Sequence, residues 1–110
     1  MNTPIHIAPV DVADLVAQGA VFVDVREHQE TTAGAAPGAS FMPLQSFNVD
    51  ALPQNKPLIL ICRSGGRSIA AANALAEMGY ATYNVQGGMG AWAASGLPVV
   101  AENGAPGHIL

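Results

Sequence analysis

The clearest feature of the hydropathy pattern is a pair of short runs in which almost every residue is apolar. Val21 to Val25 contains one polar residue, Asp24, and Leu58 to Ile61 contains none. Runs of this length and composition are typical of strands that are covered on both faces. The pattern therefore predicts two buried strands at these positions.

Residues 68–78 follow the second run and have the apolar spacing of a helix. The residues expected to share its buried face are Ile69, Ala72, Leu75 and Ala76. Ser68 is placed to cap the start of this helix and Gly79 to end it. This segment is the strongest helix prediction in the chain.

Weaker patterns predict the remaining elements. They are an edge strand at 5–7, a helix from Pro9 to Gly19, a short helix within 26–33, a strand at 40–42, helical turns within 46–52, a strand at 82–85 and a helix at 89–95. Strands that alternate with helices predict an α/β fold with a parallel sheet. Ligands of such sheets bind beyond the carboxyl ends of the strands, where residues 24–26 and 62–67 are expected to lie.

Length and composition predict one compact domain. The chain has 110 residues, of which 50% are hydrophobic, which is enough for one core and too few for two. We expect this domain to occupy residues 1–100. Residues 101–110 are rich in Gly and Pro, so we expect them to form a mobile tail.

Charge and segment composition exclude several functions and locations. The net charge of −4 disfavours nucleic-acid binding. The longest fully apolar run, Leu58 to Cys62, has five residues and is too short to span a membrane. The N-terminal residues lack the basic and apolar regions of a secretory signal, and a single cysteine suits a reducing compartment. We therefore expect a soluble, cytoplasmic protein.

The few basic residues are concentrated beside the only cysteine. Two of the four, Arg63 and Arg67, lie within five residues of Cys62. An acidic protein that gathers half of its positive charge at this point is suited to attract a small anion there.

The segment between the second buried strand and the predicted helix carries the candidate chemistry. Gly65 and Gly66 let the backbone turn its N–H groups inward as an anion-binding nest, and the start of the helix adds its positive dipole end. This field favours a thiolate at Cys62, so its pKa should fall below the usual value of roughly 8.5. The alternative is that Cys62 is a small core residue at a strand end. The order strand, cysteine, glycines, arginine, helix favours the functional interpretation.

Four motifs in this order resemble those of rhodanese domains over residues 5–100. Residues 62–68 (CRSGGRS) resemble the active-site loop of the family, and residues 23–27 (VDVRE) resemble its first signature strand and the exit from that strand. Residues 34–39 (GAAPGA) resemble a turn segment of the family. Residues 86–92 (QGGMGAW), followed by 96–99 (GLPV), resemble its C-terminal motif. The resemblance implies a five-stranded parallel sheet flanked by helices on both faces, a cysteine persulfide intermediate and no cofactor.

The resemblance also assigns roles to residues of this chain. Cys62 would be the catalytic sulfur carrier, and the substrate would be bound by Arg63, Ser64, Gly65, Gly66, Arg67 and Ser68. Four residues separate Cys62 from Arg67, as in sulfurtransferases, whereas the related phosphatases have one more. The two arginines resemble a thiosulfate site more than a mercaptopyruvate site. The sequence departs from the family pattern at Ala35, usually histidine, at Thr31 or Thr32, often aromatic, and at Ala8, often a Ser or Thr cap.

Other candidate residues have structural interpretations that we prefer. Asp24 and Arg26 could border the site, but an ion pair that holds the loop, such as Asp24 with Arg67, is favoured. Trp92 is expected to pack the last helix on the sheet. His28 and His108 are expected to be solvated, and no metal-ligand spacing is present.

Three functions remain open at this point. The leading hypothesis is an enzyme that moves sulfur from thiosulfate or a related donor to cyanide or a thiol. The acceptor must come from outside because the chain has no second cysteine. The second hypothesis is a sulfur-relay or docking module that acts on a partner protein. The third, phosphate or arsenate chemistry, is disfavoured by the short loop.

Overall fold

The computed structural model describes residues 3–110, which form a parallel sheet with helices around it. The strands are β1 (Ile5–Ile7), β2 (Val21–Asp24), β3 (Ser40–Phe41), β4 (Leu58–Ile61) and β5 (Thr82–Val85). The helices are α1 (Val12–Ala17), α2 (His28–Ala33), α3 (Gly66–Glu77) and α4 (Gly88–Ala94). A short 3-10 helix (Pro9–Asp11) precedes α1, and two more (Leu44–Ser46 and Val49–Ala51) lie between β3 and β4.

The five strands of the described chain form one sheet in the order β1-β5-β4-β2-β3, with every neighbouring pair parallel. The two strands predicted most clearly from their apolar runs, β2 and β4, lie side by side at the centre. Their register places Asp24 opposite Ile61, so the two strands end together. This arrangement confirms the predicted fold class.

The sheet has an apolar core on each face, which explains the uninterrupted hydrophobicity of β4. Ile59 and Ile61 pack on one face with residues of α1 and α4, whereas Leu58 and Leu60 pack on the other with residues of α3. All four side chains are fully buried. Burial on both faces is the expected consequence of helices that cover a parallel sheet from both sides.

Helix α3 differs from its prediction in its start and in its buried face. Ser68 is the third residue of α3 rather than its cap, and the capping position is taken by Gly65 at φ 113°. The buried stripe includes Ser68 and Ala71, while Ile69 is 38% exposed. The alanines at 71 and 72 fit either stripe, so hydropathy alone did not fix the rotation of the helix. The contacts of Ser68 in the interior, described below, decide it.

Trp92 and the C-terminal segment both pack on the sheet domain. Trp92 lies 5.6 Å from Phe22 between ring centroids and donates its Nε1–H to the carbonyl of Pro98, which confirms its predicted packing role. Residues 101–110 make several backbone hydrogen bonds to the domain, including one from the N–H of His108 to the carbonyl of Ala33. Mobility of this segment stays a prediction. Within residues 3–110, no helix has the length and apolar character needed to cross a bilayer.

Candidate active site

Cys62 lies where the topology of the sheet creates a crevice. The chain leaves β2 toward β3 on one side of the sheet and leaves β4 toward β5 on the other. Parallel sheets bind ligands at this kind of switch point, beyond the carboxyl ends of the two strands. Cys62 directly follows β4 and is therefore placed at the crevice by the strand order itself.

The sulfur of Cys62 is buried and is also surrounded by hydrogen-bond donors. The residue is 1% exposed and packs among apolar side chains. The N–H of Gly65 nevertheless points at Sγ over 3.0 Å, and the Ser68 hydroxyl lies 3.3 Å from Sγ. Cys62 thus belongs to the core by its burial, while its sulfur faces the loop.

These donors determine the ionisation of the thiol. Burial by itself raises the pKa of Cys62, because it disfavours the charged form. Hydrogen bonds outweigh this effect, and the donors are the Ser68 hydroxyl and the backbone N–H groups of Ser68, Gly65 and Ser64. The net result is a pKa below the ordinary value of a cysteine, in the direction predicted from the sequence.

Helix α4 holds the backbone of Cys62 and Arg63 in place. The N–H of Met89 donates to the Cys62 carbonyl over 2.7 Å, and the N–H of Gly90 donates to the Arg63 carbonyl over 3.0 Å. Gly88 allows this close approach, since a Cβ there would lie 2.3 Å from the Cys62 oxygen. Gly88 also has φ +57°, a conformation that other residues rarely adopt. The glycines of the C-terminal motif therefore serve the geometry of the cysteine loop.

Arg67 is paired with a residue that sequence analysis did not select. Its guanidinium makes two hydrogen bonds to Glu30 on α2, of 2.6 and 2.8 Å. The predicted pair between Asp24 and Arg67 is wrong. The pKa of Glu30 is lowered to about 2, mainly by the hydrogen bond from Arg67. Burial opposes this by raising the pKa, whereas a hydrogen bond from the Glu27 N–H and the charges of Arg67 and Arg26 lower it further. Arg67 in turn has a raised pKa, chiefly through its bond to Glu30.

Asp24 pairs instead with Arg26. The two side chains are fully buried and meet over 2.8 Å between Asp24 Oδ2 and Arg26 Nη2. The same Nη2 atom donates to the carbonyl of Gly34 over 2.8 Å. The pair holds the exit of β2 and the turn after α2 in one arrangement. A contact of Asp24 or Arg26 with substrate stays a prediction.

Arg63 points away from this buried network. It is exposed, and its Nε donates to the carbonyl oxygen of Leu110. Ser64 and Gly66 of the loop are also exposed, while Gly65 is buried. The two arginines thus differ in their surroundings, with Arg67 tied to α2 and Arg63 on the open side of the loop beside the C-terminal segment.

The matching family accounts for these features together. A model of the rhodanese-like domain matches residues 8–95. The chain belongs to the rhodanese-like domain family. The matched range includes the loop of residues 62–68.

Individual relatives support the same assignment. A sulfurtransferase of Allochromatium vinosum is 36% identical over 87 residues, covering 76% of this chain and 81% of that protein. The thiosulfate sulfurtransferase GlpE of Actinobacillus succinogenes is 34% identical over 98 residues, covering 86% and 88%. The crystal structure of a rhodanese-related protein from Thermoplasma volcanium matches with a TM-score of 0.79 and 28% identity over 91% of this chain and 99% of that one. The family and the five-stranded fold are thereby confirmed.

Two of the departures from the family pattern lie in α2 or just after it. Ala35 is buried and exchanges two backbone hydrogen bonds of 2.9 Å with Val100. Thr31 is also buried and donates its hydroxyl to the carbonyl of His28. Both positions therefore hold small side chains in the interior. His28 and His108 are exposed, as predicted.

Two residues of the site were missed by sequence analysis. Glu30 lies in the first turn of α2, the helix that follows β2. A carboxylate this close to the carboxyl end of β2 was the signal that could have identified it. Asn84 is a buried polar residue within β5, and its Oδ1 accepts a hydrogen bond of 2.6 Å from Ser68. A polar residue inside a predicted strand was the signal there. Within residues 3–110, no group of three or more His, Cys, Asp or Glu side chains is arranged to hold a metal ion.

Proposed function

We propose that this rhodanese-like domain is a sulfurtransferase that carries a sulfane sulfur as a persulfide on Cys62. The observation that supports this most directly is the set of N–H and hydroxyl donors directed at the buried sulfur, which lowers the pKa of the thiol. A thiolate is the nucleophile in sulfur exchange, and the lowered pKa increases the fraction of Cys62 that is thiolate at a given pH. The same donors would stabilise the negative outer sulfur of a persulfide.

The proposed donor is thiosulfate or a related anion. The Cys62 thiolate attacks the outer sulfur of thiosulfate, so that a new S–S bond forms, the S–S bond of thiosulfate breaks, and sulfite leaves with the electron pair. Arg63, exposed at the mouth of the loop, is proposed to attract the dianion, and Arg67 to add positive charge from the side of α2. The relative from Actinobacillus succinogenes named as a thiosulfate sulfurtransferase supports this choice.

The acceptor completes the cycle from outside the chain. Cyanide or a thiolate attacks the outer sulfur of the persulfide, the cysteine S–S bond breaks, and the Cys62 thiolate is regenerated. Cys62 is the single cysteine of the sequence, so an internal dithiol cannot resolve the intermediate. With cyanide the product is thiocyanate.

The decisive assay combines turnover with intact mass. Incubation with thiosulfate and cyanide should release thiocyanate, and thiosulfate alone should add the mass of one sulfur atom, which cyanide then removes. Cys62→Ala should abolish both signals. An unmodified mass and no thiocyanate from folded protein would refute the proposal, and hydrolysis of an aryl phosphate would redirect it to phosphatase chemistry.

A matched pair of basic residues tests the role of charge. Arg63→Ala should raise KM for thiosulfate and make the rate less sensitive to salt. Lys56→Ala is the control. Lys56 is also exposed, but it precedes β4 and so lies at the amino ends of the strands, opposite Cys62. Equal effects of the two substitutions would contradict local attraction by Arg63.

The lack of an internal resolving cysteine also favours a second candidate, delivery of sulfur to a partner protein. In that case the persulfide forms, but turnover with cyanide or small thiols is negligible. Transfer of radiolabelled sulfur from the persulfidated domain to a thiol protein, without release of free sulfide, distinguishes it from the small-molecule reaction.

A further inference from the structure

The hydroxyl group of Ser68 lies between three acceptors. Its Oγ atom is 2.6 Å from Asn84 Oδ1, 3.2 Å from the Gly65 carbonyl oxygen and 3.3 Å from Cys62 Sγ. Ser68 and Asn84 are 0% and 1% exposed, so the contact is made in the interior. A hydroxyl has a single proton, and it can be donated to only one of these acceptors at a time.

This hydroxyl differs from the other donors to the sulfur because it can rotate. The N–H groups of the loop are held by the backbone, so they cannot turn away from Cys62 by rotation of a side chain. The number of donors that the thiolate receives therefore depends on where the proton of Ser68 lies. Oγ lies 2.6 Å from Asn84 Oδ1 and 3.3 Å from Sγ, so the amide oxygen competes with the sulfur for that proton.

The orientation of the Asn84 amide is supported from the edge of the sheet. Asn84 on β5 is in register with His6 on β1, and its Nδ2 lies 3.3 Å from His6 Nδ1. In the tautomer of His6 that leaves Nδ1 without a proton, the amide N–H donates to this ring nitrogen, and Oδ1 then faces Ser68. A row of hydrogen-bonding groups thus runs from the exposed His6 through Asn84 and Ser68 to Cys62.

We propose that Asn84 is a positioning residue that competes with the Cys62 sulfur for the one proton of Ser68. By drawing this proton away, Asn84 leaves the thiolate with fewer donors and keeps it more basic than the loop alone would make it. A more basic thiolate is intrinsically more nucleophilic, since nucleophilicity falls as the thiol pKa falls. This inference rests on the proposed function for the role of the Cys62 sulfur, and it assigns to Asn84 the tuning of that sulfur.

Isosteric substitutions at position 84 test the competition. Asn84→Leu removes the acceptor, frees the Ser68 proton for the sulfur and should lower the pKa of Cys62 by roughly one unit, a tenfold shift in the thiol equilibrium. Asn84→Asp offers a stronger acceptor and should raise that pKa. The readout is the ultraviolet absorbance of the thiolate against pH, with the Cys62→Ser protein subtracted. This readout needs no turnover, so it gives a result even where sulfur transfer fails.

The Ser68→Ala background separates proton competition from other effects. Without the hydroxyl, the difference between Asn84 and Asn84→Leu should disappear, while Asn84→Asp should retain only the effect of its charge. The Arg67 guanidinium, paired with Glu30, also interacts with the charge of Cys62, and these variants leave that pair unchanged.

A control on the same strand excludes a general effect of lost stability. Thr82 is also buried on β5, and its hydroxyl donates to the carbonyl of Ala72, away from the sulfur. Thr82→Val should lower stability without moving the Cys62 titration. An unchanged or raised pKa in Asn84→Leu overturns the proposal. If that variant does not fold, equal shifts by Asn84→Asp in the Ser68 and Ser68→Ala backgrounds overturn it instead.

Discussion

Substitution of Glu30 by glutamine should weaken the domain by removing the ion pair that joins α2 to the cysteine loop. Glu30 and Arg67 are separated by 37 positions in sequence, yet they meet through two hydrogen bonds of 2.6 and 2.8 Å. The side chain of Glu30 is 13% exposed and that of Arg67 is 35% exposed. The pair is therefore partly shielded from water, and it ties together two elements that no strand pairing connects.

The structure sets the magnitude of this effect. The pKa of Glu30 falls from 4.5 to about 2, mainly through the bond from Arg67. At about 1.4 kcal/mol per unit this corresponds to a ceiling of about 3 kcal/mol. Because the guanidinium is one-third exposed, solvent screening reduces the expected loss in Glu30→Gln to about 1–2 kcal/mol.

The pH dependence gives the sharper test. A carboxylate whose pKa is lower in the folded state stabilises the fold above its unfolded pKa and loses that contribution as it becomes protonated. The difference in unfolding free energy between wild type and Glu30→Gln should be full at neutral pH and should shrink as the pH falls from 4.5 toward about 2. Urea unfolding followed by circular dichroism at a series of pH values measures it.

Glu77→Gln is the matched control. Glu77 is an exposed carboxylate on α3 and makes no ion pair within residues 3–110. This substitution should leave stability within a few tenths of a kcal/mol at every pH. A Glu30→Gln protein as stable as wild type at neutral pH, or a difference that does not depend on pH, would refute the assigned contribution of the pair.

Three further substitutions test other parts of the structure. Gly88→Ala should lower the free energy of unfolding by at least about 2 kcal/mol and abolish sulfur transfer. The reason is that φ +57° is strained for alanine and that the new Cβ would meet the Cys62 carbonyl. A variant with wild-type thermal stability would contradict this. Trp92→Phe should cost about 1 kcal/mol in urea unfolding, since the carbonyl of Pro98 loses its 2.8 Å donor. Gly107→Ala should lower the melting temperature, because a Cβ there would lie 2.8 Å from backbone atoms of neighbouring segments. An unchanged melting temperature would instead indicate the mobile tail that composition predicts.

The local sequence pattern was sufficient to predict the elements whose residues fit only one environment. The apolar runs of β2 and β4 predicted buried strands, because consecutive apolar side chains are accommodated by burial on both faces of a sheet. Cys62, followed by glycines and a helix, was placed correctly at the end of a strand. Its donors come mainly from the backbone within six residues, so the loop could be recognised without knowledge of the rest of the fold.

Pairing between distant segments could not be predicted in the same way. Asp24 is the last residue of β2 and Glu30 lies in the helix that follows it, so either carboxylate could have met Arg67. The local spacing of Asp24 and Arg26 lets them form a buried pair of their own, which leaves Glu30 for the loop. The rotation of α3 was likewise open, because alanines at 71 and 72 have no strong preference between two faces, and the placement of Ser68 against Asn84 settles it.

The sequence alone determined the order of elements, the parallel sheet and the position of the Cys62 sulfur, because each follows from periodicity and turn chemistry over a few consecutive residues. Only the tertiary structure decided which side chains from other elements pair with the loop around that sulfur. The partner of Arg67 comes from α2 and the partner of Ser68 from β5. Both elements reach the loop through strand order rather than through proximity in the chain. Contacts of this kind depend on the packing of the whole sheet and leave no periodic trace in the sequence.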